Sequence, residues 1–203
     1  MTNKNVITIG LAKGYLLDDG LKFFKDKGIK VNAYSDRQLI FFDKTGKYRF
    51  MILRPLDVPS YVEHGSVDIG ITGLDILKEN KPKVITLKDL DIGHCRMVIA
   101  TDARKNFDEF NHGIKVATKF VNCTKEYFNE IGVKADIIKL YGSVELAAVT
   151  GLSDVIVDLT ASGKTLVENK LKEVRTIFKS TAHLIANNVF YSLNYPFIKS
   201  LIE

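Results

Sequence analysis

Val155-Ile-Val-Asp-Leu-Thr-Ala-Ser-Gly-Lys-Thr-Leu166 is the stretch whose reading decides the fold. Val155, Ile156 and Val157 are β-branched and apolar, as in a strand buried on both faces, the usual state in parallel sheets. Asp158 falls where that strand is expected to end. Thr160, Ser162 and Thr165 supply hydroxyls and Gly163 permits a tight turn. A helix is expected over Leu166–Leu171. The N–H groups at a helix N-terminus are unpaired and favour an anion, and a carboxylate beside them can accept from hydroxyls. Two readings fit these residues alone: an ordinary strand–turn–helix with a Ser/Thr cap, or a cradle for a sugar phosphate, with the phosphate on the turn and a ribose diol on Asp158.

Working outward, the same pattern recurs. Val6–Gly10 reads as a strand, followed by a loop carrying Lys13 and a helix from Leu16 to Lys27 that Gly28 closes. Gln38–Phe42 and Tyr48–Leu53 read as strands in a hairpin-like pair, with Arg37 before the first and Arg54-Pro55 ending the second. A helix capped by Asp57 and closed by Gly65 leads to a strand over Val67–Ile71, then Thr72-Gly-Leu-Asp75 and another helix to about Asn80. Strands are expected at Lys83–Leu87, Cys95–Ala100, Lys115–Thr118 and Ala135–Leu140, and helices at Asn122–Ile131 and Val144–Val149. Glu145 lies in the first turn of the latter, where a carboxylate is electrostatically favoured. Glu173–Phe178 and Thr181–Ala186 read as strands, and Asn188–Glu203 as helical, kinked or divided at Pro196.

Strands alternating with helices argue for α/β architecture with largely parallel sheets. Loops at strand ends are where open α/β sheets bind ligands, which makes Lys13 and Arg54 candidate phosphate contacts; a loop lysine is more often simply solvated, and a salt bridge explains the arginine as well. Neither G-x-G-x-x-G after the first strand nor G-x-x-x-x-G-K-[ST] is present, so the common dinucleotide and P-loop motifs are excluded.

With 203 residues the chain is long enough for one large domain or two small ones. Its net charge of +5 suits an anionic small substrate and is too mild to argue for nucleic acid. Cys95 and Cys123 form no CxxC and fit neither a disulfide framework nor a zinc site. No secretory h-region and no apolar run near the ~18 residues of a membrane span is seen. A cytoplasmic protein is expected.

Several motifs, in order, resemble the short form of ATP phosphoribosyltransferase, the first enzyme of histidine biosynthesis. They are Ile9-Gly-Leu-Ala-Lys-Gly14, Arg54-Pro-Leu-Asp-Val-Pro-Ser-Tyr-Val-Glu-His-Gly65 through Asp68–Asp75, Cys95-Arg96, Lys139–Ala147, Asp158–Leu166 and Leu184–Asn187. The resemblance implies two lobes of the periplasmic-binding-protein type (type II) with a cleft between them. Lobe I is expected at 1–90 plus 181–203, and lobe II at 91–180. It also implies the reaction: adenine N1 of ATP attacks the anomeric carbon of phosphoribosyl pyrophosphate, diphosphate leaves, and Mg²⁺ assists. By the motif match, Asp158 holds the ribose hydroxyls, and Thr160, Ala161, Ser162, Gly163, Lys164 and Thr165 wrap the 5′-phosphate. Lys13 neutralises the leaving diphosphate and Glu145 helps to place ribose or metal. By the same resemblance Arg37, Arg54, Asp75 and Arg96 lie around the ATP side or the cleft mouth.

Adenine N1 already carries its lone pair, so no general base is required. The four histidines, His64, His94, His112 and His183, are scattered and read as structural or surface residues. Four positions depart from the family pattern: Ala12 and Tyr15 stand where the first loop usually has proline and arginine, Leu56 where a small residue is common, and His183 where arginine is. The resemblance further implies a regulatory partner related to histidyl-tRNA synthetase and catalytic dimers within a hetero-oligomer. The rival reading is a two-lobed binding or sensor module without catalysis, since fold alone does not fix function. A phosphoribosyltransferase of the common type is disfavoured, because those carry two adjacent acids before the turn and here Leu159 follows Asp158.

Overall fold

The computed structural model describes residues 6–32, 35, 37–107 and 109–203. The chain divides into two units, Met1–Gly93 with Thr181–Glu203, and His94–Ser180. The first is therefore assembled from both ends of the sequence.

Its sheet has the order β2-β3-β1-β4-β11-β5. The strands are β1 (Ile7–Ala12), β2 (Ile40–Phe42), β3 (Tyr48–Leu53), β4 (Ile69–Gly73), β5 (Ile85–Asp89) and β11 (Ala182–Ala186). β1 is parallel to β3 and β4, and β11 runs antiparallel to both β4 and β5. Central strands β1 and β4 are almost wholly buried, as the apolar runs Ile-Thr-Ile-Gly-Leu-Ala and Ile-Gly-Ile-Thr-Gly require for strands covered on both faces. One face packs α1 (Leu16–Asp26) and the C-terminal helices α7 (Asn188–Leu193) and α8 (Tyr195–Ile202) over Ile9, Leu11, Phe24, Phe50 and Leu184. The other packs α2 (Val58–Glu63) over Val67 and Ile185. The latter contact needs glycine beneath it: a Cβ on Gly70 would stand 3.0 Å from Val58 Cγ1 and 3.1 Å from Val62 Cγ2. α3 (Leu74–Asn80) follows β4 directly.

The second unit has the order β10-β6-β9-β7-β8. Its strands are β6 (Cys95–Asp102), β7 (Ile114–Thr118), β8 (Ala135–Lys139), β9 (Val155–Thr160) and β10 (Leu171–Ser180). β7, β8 and β9 are parallel, while β6 lies antiparallel between β9 and β10. The helices are α4 (Val121–Glu130), α5 (Glu145–Val149) and α6 (Lys164–Glu168). Val98, Ala117, Ala147, Ile156 and Leu166 form part of one core, and Phe128 is buried under α4.

Four expectations need correction. β9 does not stop at Val157; it runs to Thr160, because antiparallel β6 extends the ladder through the pairs Val98↔Asp158 and Arg96↔Thr160. α6 accordingly starts at Lys164 and ends at Glu168, short of the span expected for it. Asp57 makes no side-chain cap: its N–H already donates to the Arg54 carbonyl and its backbone is helical. The C-terminal segment is two helices divided at Asn194, with Pro196 in the first turn of the second, where a missing N–H costs nothing. Among the described residues, no helix is long and apolar enough to cross a membrane.

Candidate active site

Sheet direction decides which side chains meet. In the second unit the carboxyl ends of β7, β8 and β9 share an edge with the amino end of β6. That edge carries Arg96, Lys119, the Asp158–Thr165 segment and, after β8, the loop that enters α5 at Glu145.

Asp158 lies within β9 with its side chain only 13% exposed. Its Oδ1 accepts from the Leu159 N–H at 2.8 Å and pairs with the Lys119 ammonium at 3.1 Å. Lys119 follows β7, the neighbour of β9 on one side, and also sits over the Phe120 ring, 5.1 Å from its centroid. The turn then reverses at Gly163, whose φ of +80° an L side chain rarely adopts. The Thr160 hydroxyl is buried beneath it and accepts from the Gly163 N–H at 2.9 Å; Ser162 Oγ lies 3.4 Å from the Lys164 N–H. A hydroxyl that accepts from an N–H keeps its own proton to donate, so both can still serve an anion above the turn. Ala161, Ser162, Lys164 and Thr165 line the turn, and all four are exposed.

Arg96 comes from β6, on the other side of β9. Its guanidinium stands against the turn, donating to the Ala161 carbonyl at 3.2 Å. Glu173 of β10 holds it, at 2.8 Å from Nη2 and 3.2 Å from Nε. The hydrogen bond from Arg96 is the main cause that lowers the Glu173 carboxyl; partial burial opposes it and a bond from Thr176 assists. The same bond raises Arg96. A carboxyl lowered on folding contributes stability above its unfolded value, and that contribution is lost as pH falls through the folded value. Glu173→Gln is therefore expected to cost stability at pH 7 and nothing once the pH is well below the ordinary 4.5. Both side chains are about a third exposed, so the cost stays under ~1 kcal/mol. Urea unfolding at pH 7 and pH 3 checks this; an equal cost at both would exclude the charge as its source.

In the first unit the carboxyl ends of β1, β3 and β4 also share an edge. Lys13 follows β1 and Arg54 follows β3, both exposed. β2 is antiparallel to β3, so Arg37 before it comes to the same edge, also exposed. Asp75 differs: it is 3% exposed in α3 and folds back over Gly73, where an added Cβ would collide with its Oδ1. Its carboxylate belongs to the start of its own helix. Glu145 is half-buried at the first residue of α5. Among the described residues, no three His, Cys, Asp or Glu side chains cluster as a metal site would.

Sequence reasoning missed Lys119 and Glu173. Lys119 had a usable signal, being a cation just past an apolar strand next in space to β9, but that adjacency is visible only in the sheet order. Glu173 reaches Arg96 diagonally along a β10–β6 ladder broken by two register shifts, and no sequence pattern specifies those.

These features define an α/β protein of the periplasmic-binding-protein type II class, carrying an acid and a hydroxyl-lined turn at a strand end. Structures of that class agree in fold. The substrate-binding protein of an amino acid ABC transporter superposes with a TM-score of 0.64 at 14% identity, over 97% of this chain and 90% of that one. The family model for HisG, ATP phosphoribosyltransferase, matches residues 54–203, and the chain belongs to that family. An ATP phosphoribosyltransferase from Rippkaea orientalis is 45% identical over 93% of this chain and 92% of its own length. One from Moorella thermoacetica is 43% identical over 98% and 91%. An ATP phosphoribosyl transferase (HisG:HisZ) complex from Thermotoga maritima has a TM-score of 0.80 at 33% identity, covering 97% of this chain and 96% of that one.

Proposed function

We propose that this chain transfers the phosphoribosyl group of phosphoribosyl pyrophosphate to N1 of ATP, releasing diphosphate, as the first step of histidine biosynthesis. The observation that supports this reading best is the edge of the second unit, where Asp158 stands beside the Thr160–Thr165 turn. A carboxylate with one oxygen anchored suits a vicinal diol, and a turn with hydroxyl and N–H donors suits a phosphate ester one ribose away. Family membership favours this enzyme reading over a non-catalytic module of the same fold.

The chemistry asks for positioning and charge stabilisation. As the anomeric C–O bond breaks, its electron pair leaves with diphosphate, and the adenine N1 lone pair forms the new C–N bond. The positive charge spreads over the adenine amidine until N6 releases a proton to water. Asp158 orients the ribose and steadies its developing positive charge. Thr160, Ala161, Ser162, Gly163, Lys164 and Thr165 hold the 5′-phosphate, with Arg96 fixing the turn through Ala161. Lys13 serves the diphosphate, Arg37 and Arg54 serve ATP, and Asp75 shapes the loop beside them.

A magnesium ion suits this donor set in one way. Mg²⁺ binds through one or two carboxylates plus substrate phosphates, so it would enter on the diphosphate, with Glu145 as the carboxylate to meet it. When bound, it screens the diphosphate charge. We place the protein in the cytoplasm, as catalytic dimers within a hetero-oligomer whose other subunit is a regulatory, histidyl-tRNA-synthetase-like chain. The HisG:HisZ complex from Thermotoga maritima, which pairs two proteins, supports a partner.

The test is turnover. With purified partner, Mg²⁺, ATP and phosphoribosyl pyrophosphate, product is expected as near-ultraviolet absorbance together with released diphosphate. No product with all four present would refute the reading.

A further inference from the structure

The ion pair between Lys119 and Asp158 has a stereochemical consequence for the reaction proposed above, and the inference rests on that reading. Asp158 Oδ1 is taken by two donors, the Leu159 N–H and the Lys119 ammonium. Asp158 Oδ2 accepts no hydrogen bond among the described residues, so it is the oxygen left for the ribose hydroxyls. In phosphoribosyl pyrophosphate the 2- and 3-hydroxyls and the 1-diphosphate project from the same face of the ring. A carboxylate that takes the diol therefore lies on the diphosphate face, and a cation paired with it lies on that face too. Adenine attacks from the opposite face.

Lys119 is equipped for such a role. Its side chain is 36% exposed, enough for a solute to reach it. It has three N–H donors, and only one is directed to Asp158. Its ammonium is held over the Phe120 ring rather than swinging in solvent. Arg96, the cation on the other flank of β9, is already engaged by Glu173 and Ala161. We infer that Lys119 is a leaving-group cation of this enzyme: its ammonium bridges Asp158 and the diphosphate of bound phosphoribosyl pyrophosphate, stabilising the negative charge that builds on the departing oxygen.

The test separates this role from one of merely holding Asp158. Ribose 5-phosphate carries the diol and the phosphate ester without a diphosphate. In calorimetry on the 203-residue chain, Lys119→Met is expected to leave ribose 5-phosphate affinity within about two-fold, and to weaken phosphoribosyl pyrophosphate and inorganic diphosphate at least ~10-fold, the scale of a lost charge-assisted bond. In the assay with partner, kcat/KM for phosphoribosyl pyrophosphate is expected to fall about 10²-fold, the loss seen when one donor to a developing oxyanion is removed. Lys119→Arg should recover most of both. Equal weakening of ribose 5-phosphate and phosphoribosyl pyrophosphate would overturn the proposal in favour of a holding role. No change in either, or an arginine variant as weak as the methionine one, would overturn it outright. The binding arms need no turnover, so an unmodified chain that binds phosphoribosyl pyrophosphate but forms no product refutes the proposed reaction separately. An unmodified chain that fails to bind it at all refutes both.

Discussion

Asp158→Ala is expected to weaken phosphoribosyl pyrophosphate binding by roughly 10²–10⁴-fold, from two hydrogen bonds to a charged acceptor at ~1.5–3 kcal/mol each. Calorimetry on the 203-residue chain reads this directly. Its side chain is 13% exposed, anchored at Oδ1 by the Leu159 N–H, and built into a strand rather than a loop. A carboxylate so constrained has little rotamer freedom left to lose when it takes a diol. Asp158→Asn separates shape from charge. It keeps an acceptor of the same size, removes the partner of Lys119, and is expected to fall between wild type and alanine. Unchanged affinity in the alanine variant would remove Asp158 from the site.

Phe50→Ala should destabilise the chain by about 3–5 kcal/mol, the usual cost of emptying a buried aromatic position. Phe50 is fully buried on β3. It stacks on Phe41 of β2 with centroids 5.3 Å apart and meets Phe24 of α1 edge-on at 6.1 Å. One ring thus ties an edge strand, a more central strand and a helix together. The shift in the urea midpoint of the transition that includes the first unit measures the effect. A loss under ~1.5 kcal/mol, the range of volume-conserving swaps, would mean the site relaxes around the missing ring.

What the sequence made legible follows from how local each signal is. Tyr48–Leu53 could be placed from its apolar run and flanking breakers, and β3 has those bounds. The acid and turn at Asp158–Gly163 were likewise visible, since glycine and hydroxyls mark a turn by themselves. The end of β9 was not visible: Asp-Leu-Thr looks like a strand giving way to a loop, and only the antiparallel ladder with β6 keeps it extended. The fate of Asp75 was hidden for a related reason. Thr-Gly-Leu-Asp marks the start of a helix, and nothing in it says that the carboxylate lies back over Gly73. The cations flanking the turn were the least accessible. Lys119 and Arg96 are both far from Asp158 along the chain, and they meet its segment only because β7 and β6 are the neighbours of β9 in the sheet.

The position of β11 bears on how the protein is made. This strand lies between β4 and β5, yet it is the last strand in the chain, separated from both by the whole of the second unit. During synthesis β4 and β5 emerge with a gap where their common partner belongs, and both expose unpaired N–H and C=O groups. At ~5–20 residues per second the wait for β11 is on the order of ten seconds. The second unit is continuous in sequence, so β6 to β9 emerge within that interval, and its last strand, β10, ends at Ser180 just ahead of β11. The nascent first unit is then the part that depends on chaperone cover, and a released chain truncated after Ser180 should leave it protease-sensitive while the second unit, whose strands are all present, is resistant.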